Sequence, residues 1–246
     1  MNNFLVKIFS LLLMPAFIFF MPFNGYAQMF SIGDAEQRSA RPLGSATIFG
    51  ASWEVADFSY KAEGAEDFQR LDYSGNLLRL FLNSPGLDIS LAFGGSFTGM
   101  DDHSAVNINA RLYNNLYLKR DPNFHFAIPI QLTTDLMQVS RNETSAEFQQ
   151  SSLVFGTGFF SAFRMGERFS LHLNATPNYG FSFSQGSLFG GGLFRFDAGT
   201  FVMINDLFGS RALSIGYNFD FRSYRIEGNL NDYDFTSHSV TLGIGF

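Results

Sequence analysis

The stretch Ser239-Val240-Thr241-Leu242-Gly243-Ile244-Gly245-Phe246 decides how the chain is read. Val240, Leu242, Ile244 and Phe246 fall on one face of an extended strand, while Ser239, Thr241, Gly243 and Gly245, all small or polar, fall on the other. In a soluble sandwich the apolar face would look inward. In a membrane barrel it would look out to lipid, with the small face lining a lumen.

Working outward from that strand, the same period-two pattern recurs. Phe124, Phe126, Ile128, Ile130 and Leu132 alternate with His125, Ala127, Pro129, Gln131 and Thr133. Phe169, Leu171, Leu173, Tyr179, Phe181 and Phe183 alternate with Ser170, His172, Asn174, Asn178, Gly180 and Ser182. Leu213, Ile215, Tyr217, Phe219 and Phe221 oppose Ser214, Gly216, Asn218, Asp220 and Arg222. The segments are about a dozen residues long, against ~5–6 for a typical soluble strand and ~9–11 for a tilted membrane crossing. Pro129 and Pro177 interrupt them and mark a bulge or local break.

Tight-turn signals lie at Ser84-Pro85-Gly86, Asp121-Pro122-Asn123, Arg164-Met165-Gly166-Glu167 and Asp206-Leu207-Phe208-Gly209. Polar loop segments lie between them, at Lys61 to Asp67, Gly99 to Ser104, Ser140 to Glu147, Gln185 to Ser187 and Glu227 to Asp232. The turns recur at intervals of 37, 44 and 43 residues, each holding two strands. Five hairpins follow, so the fold class is all-β, an antiparallel up-and-down transmembrane β-barrel of ten strands, with eight or twelve as alternatives. Strand ten must then pair with the segment starting near Ala46.

Composition agrees. The chain has 246 residues, 32 Phe, 24 Gly, no Cys and a net charge of -6, with only 15% charged residues. That is less charge than an ordinary water-facing surface carries. The absence of Cys excludes disulfides and thiol chemistry, and the acidity argues against nucleic acid. Residues 1–27 read as a signal peptide, with Lys7, an apolar run from Ile8 to Phe20 and the small-x-small site Gly25-Tyr26-Ala27. Residues 28–43 form a polar lead-in, and 44–246 the barrel.

Several charges fall in mid-strand on the polar faces: Glu54, Arg79, Arg111, Arg195, Asp197, Asp220 and Arg222. A dry sandwich core would hold these only if fully paired, whereas a hydrated lumen can pair or wet them. They are expected to form a lumen charge network. Tyr60, Tyr73, Tyr179 and Tyr224 fall near strand ends, at the level of an interfacial girdle, with Trp53 nearer mid-strand.

With terminal Phe246 and Ile244 two residues before it, the chain resembles a Gram-negative outer-membrane β-barrel protein. Its Gly-Tyr-Ala-Gln leader end resembles those of the Bacteroidota. The resemblance implies outer-membrane lipid and the barrel-assembly machinery as partners, with Ile244 and Phe246 as the assembly signal. Thr241 stands where the usual pattern has Gly.

Chemistry-bearing groups are sparse. Asp101, Asp102 and His103 at one loop, with Asp232, Asp234 and His238 near another, resemble the rim of omptin-type proteases. Asp101, Asp102 and Asp234 also suit a loop calcium site. His125 and His172 lie on polar faces near the turn end, suited to hydrogen bonding in the lumen. No cofactor, catalytic or metal set is expected. Ten strands lie near the filled end of the barrel series. The function expected is a narrow, largely plugged barrel with a structural or surface-interaction role, with a narrow channel and a rim hydrolase as alternatives.

Overall fold

The computed structural model describes residues 43–44, 46–61, 71–141, 147–184, 191–208, 211–225 and 232–246. The leader, all of the lead-in but Leu43, most of four polar loops and Gly209 lie outside them.

Eleven strand segments form one sheet: β1 (Ile48–Lys61), β2 (Tyr73–Ser84), β3 (Leu87–Gly94), β4 (His103–Asp121), β5 (Phe124–Arg141), β6 (Glu147–Thr157), β7 (Phe159–Met165), β8 (Phe169–Ser184), β9 (Gly192–Phe208), β10 (Arg211–Arg225) and β11 (Asp232–Gly245). The order is β4-β3-β2-β1-β11-β10-β9-β8-β6-β5, with β4 pairing back onto β5. The sheet is therefore closed. β6 and β7 are halves of one strand, both lying between β5 and β8, which makes ten strands.

The halves part where two prolines converge. Ile130 pairs with Thr157 and Ala127 with Phe160, so Pro129 falls opposite Gly158. On the other side Gly156 pairs with Asn178 and Phe159 with Ala175, so Pro177 falls opposite Thr157. Neither proline can donate to that ladder. Register is unchanged across the gap, so this is a break in hydrogen bonding and not a bulge.

The expected closure is present. β1 pairs β11 from Ile48 opposite Gly245 to Lys61 opposite Asp232. The Phe246 N–H adds a bond of 2.9 Å to the Thr47 carbonyl. Near the turn end of the seam Gly50 faces Gly243, and the Phe81 ring lies by both: a Cβ on Gly50 would lie 2.7 Å from its tip and one on Gly243 3.4 Å. Gly50 thus makes room for that ring and for the Leu242 carbonyl, and Gly243 makes room for the Ile48 side chain.

Turns at Pro85–Gly86, Pro122–Asn123 and 166–168 gather at one end, Gly86 and Gly166 supplying positive φ. The opposite end carries the polar loops. One of them, between β3 and β4, holds a short 3-10 turn (Ser96–Thr98) and folds back over the lumen. It buries Met100 against Gly75 and Gly94.

Candidate functional site

The interior is layered. Period two carries Glu54, Arg79, Asp88, Arg111, Asp135, Arg195, Asp197, Asp220 and Arg222 to the inner face, and they pair there. Arg79 donates through Nε to Glu54 Oε2 at 2.7 Å and through Nη1 to Ser90 Oγ at 3.0 Å. Arg111 donates to Asp88, with Nε at 2.9 Å. Arg195 joins Asp197 through Nε at 2.8 Å and Asp220 through Nη2 at 3.0 Å. Arg222 donates through Nη2 to Asp220 at 2.8 Å and through Nη1 to Asp135.

The register explains the shape of this cluster. β9 and β10 set Asp197 opposite Asp220 and Arg195 opposite Arg222, like charge facing like charge, which alone would be repulsive. The pairs form along each strand at i, i+2 and diagonally across the rung, so each carboxylate meets a guanidinium. Uncharged partners complete it: Gln131 donates to Asn178 at 2.6 Å, Asn178 to Asp197 at 2.8 Å, and Ser152 to Asp135. The seven charges expected in the lumen thus sit within it, in three groups. Asp88 and Asp135 belong to the same layer and were not foreseen. Continuing the inner-face alternation of Gln131 and Thr133 by one step reaches Asp135.

Towards the loop end lies a layer of rings. Phe58 stacks on Tyr60 and Tyr73 with centroids 5.9 and 5.5 Å apart and tilts against Phe148 and Tyr233 at 5.9 and 5.2 Å. Tyr224 lies 5.5 Å from Tyr233, whose hydroxyl donates to Gln150 across the lumen. Phe58, Phe148, Tyr224 and Tyr233 are at most 1% exposed. The Arg222 guanidinium lies 5.0 Å from the Phe235 ring and joins the ionic layer to this one.

The girdle expectation is corrected for three tyrosines. Tyr60, Tyr73 and Tyr224 point inward and belong to the ring layer, because their parity is that of Phe58, Leu77 and Arg222. Position along a strand does not give the face. Tyr179 and Trp53 do point outward, 67% and 49% exposed.

Below the ions, on the turn side, the lumen holds two adjoining cavities of about 120 Å³ each. Both are walled by Asn83, Asp88, Arg111, Asn174 and Phe201. His172 lines the lower one, its ring 6.0 Å from Phe160. The His125 ring lies 5.5 Å from that of Tyr117.

The rim candidates do not converge. Asp101 and Asp102 are exposed, and His103 opens β4 opposite Arg141, its ring 6.3 Å from Tyr73. His238 is on the outside of the barrel, where the Tyr217 hydroxyl lies 2.6 Å from its Nδ1. Arg225 holds Asp234 at 2.6 Å. Among the described residues no group of three or more His, Asp or Glu side chains is placed to hold a metal, the suggested calcium ligands included.

The outer surface is the reverse of a soluble protein's. Phe49, Val55, Phe155, Val240 and Leu242 are each more than half exposed, while Arg222 and Glu54 are fully buried. Exposed large apolar side chains occur on every strand of the closed sheet, far beyond the patches a water-facing surface carries. The fold is that of an outer-membrane β-barrel. Among the described residues no helix is long and apolar enough to cross a membrane; the barrel crosses with strands.

No family model matches the barrel, and no curated relative does. Solved structures do. The outer membrane protease OmpT from Escherichia coli is 10% identical, with 87% of this chain and 99% of that one covered and a TM-score of 0.43. The translocator domain of the autotransporter NalP from Neisseria meningitidis is 10% identical, with 82% and 88% covered and a TM-score of 0.39. Ail, the attachment invasion locus protein of Yersinia pestis, in complex with the heparin analogue sucrose octasulfate, is 13% identical, with 81% and 99% covered and a TM-score of 0.23. At such scores nothing about function transfers from them to this barrel.

Proposed function

We propose that the protein is an outer-membrane barrel that does not conduct, sealed by its own side chains, and that it serves a structural or surface-interaction role through its loop end. The observation that carries this reading is the ring layer. Phe58, Tyr73, Phe148 and Tyr233, from four strands, meet in the lumen at van der Waals distances and back onto the ion pairs beneath. A hydrated ion would have to displace both layers to pass. The experiment is solute entry into proteoliposomes: vesicles carrying the barrel and diluted into small sugars should not swell faster than empty ones. Protein-dependent swelling would sink the reading.

A narrow channel is the second reading, favoured by the polar cavities on the turn side. They reach the ion layer and give water access to half of the lumen. Replacing the rings, as described below, separates a sealed barrel from one whose path lies elsewhere.

A further inference from the structure

The cavity beneath the ion layer has polar walls whose hydrogen-bonding capacity is not used up. Glu54, Arg195, Asn109, Ser52 and Thr241 line it, and each carries a buried side-chain atom with no hydrogen-bond partner in the protein: Glu54 Oε1, Arg195 Nη1, Asn109 Nδ2, Ser52 Oγ and Thr241 Oγ1. Glu54 is fully buried, and Ser52 and Thr241 are 3% exposed. Buried polar atoms left without partners are costly, so a cavity whose wall residues carry five of them is one that holds something polar.

The charge of the lining says what. Four carboxylates face it, Glu54, Asp88, Asp197 and Asp220, against three guanidiniums, Arg79, Arg111 and Arg195. Arg222 and Asp135 behind them add one charge of each sign. By residue count the lining therefore holds one more carboxylate than guanidinium. Arg195 does not answer it, since its guanidinium is shared by Asp197 and Asp220, and its free Nη1 donor suits a water molecule.

We infer that this cavity binds one small monovalent cation, which keeps part of its water shell and is held beside Glu54 Oε1. A divalent metal does not fit the site, because it would want several convergent carboxylates and no such group occurs among the described residues. A volume of about 120 Å³ admits an ion with a few waters, whereas a hydrated drug-sized ligand needs ~300 Å³ or more. Entry is from the turn end, since the ring layer closes the other. The inference goes beyond the absence of conduction: a dead-end site binds without passing anything through.

The test is thermal unfolding of the full barrel in detergent micelles, in sodium or potassium chloride against N-methyl-D-glucamine chloride at equal ionic strength, the last cation being too bulky to enter. The small cation should raise the melting temperature with a saturable dependence on its concentration, as binding to the folded state requires. Glu54→Gln and Asp197→Asn, each removing the excess charge, should abolish that shift. Asp57→Asn, on the outer face, should keep it. Equal melting in both salts, or a shift that survives both lumen variants, overturns the inference. If the lumen variants fail to fold, thallium soaked into crystals of the unaltered protein decides: anomalous density beside Glu54 supports the site, and its absence overturns it.

Discussion

Arg222 on β10 donates through Nη1 to the carboxylate of Asp135 on β5, across the lumen and between residues 87 apart in sequence. The same guanidinium holds Asp220 and reaches the Asn107 side-chain Oδ1 at 3.4 Å. One side chain thus ties β4, β5 and β10 together from inside. Truncating it to leucine leaves Asp135 and Asp220 facing one another without their shared cation. Breaking a buried pair from one side costs roughly 3–5 kcal/mol. Urea unfolding in micelles should show a loss of that order for Arg222→Leu, and a smaller loss when Asp135→Asn is added.

The ring layer should behave as a seal. Phe58→Ala with Tyr233→Ala removes the two rings that touch most of the others and opens a gap at the loop end. The barrel should still show heat-modifiable migration on gels, and small solutes should now enter proteoliposomes carrying it. Continued exclusion by a folded double variant would place the barrier in the ion layer.

At the closure seam, Gly243 leaves its space to the Ile48 side chain, whose Cγ2 would lie 2.7 Å from a Cβ there. Gly243→Val forces Ile48 or the seam to move, and overpacking of this kind costs about 1–3 kcal/mol. Folding yield should fall, and Ile48→Ala in the same chain should restore much of it. A seam that absorbs Gly243→Val unaided would mean the glycines have another use.

The direction of the outer face is checked at Val240, which is 63% exposed. In lipid, Val240→Arg should cost about 2–4 kcal/mol near the midplane. On a water-facing surface the same change would be almost neutral. Unfolding in phospholipid vesicles measures the difference.

How much of this was legible follows from what period two can encode. Alternation gave the faces of β5, β8, β10 and β11, and the turn signals marked by Pro85, Pro122, Gly166 and Gly209 gave the hairpin count and hence the pairing of β1 with β11. Lumen charges such as Arg195 and Asp220 were visible as polar groups in mid-strand. Their partners were not, because partnership depends on register: Asp197 faces Asp220 by virtue of the β9–β10 pairing, and Asp135 meets Arg222 only after the barrel has closed. Tyr60, Tyr73 and Tyr224 misled because an aromatic near a strand end suits a girdle and a plug equally well until its face is counted from Phe58 or Arg222. Met100 was hidden in a loop whose fold-back depends on the space that Gly75 and Gly94 leave.

The central claim is that side chains of the barrel seal its lumen, and single-channel recording in planar lipid bilayers tests it most directly. Purified, refolded barrel inserted into the bilayer should stay silent over a wide range of applied voltage, while the Phe58→Ala, Tyr233→Ala variant opens discrete steps. Stable unitary conductance from the unaltered protein would contradict the account.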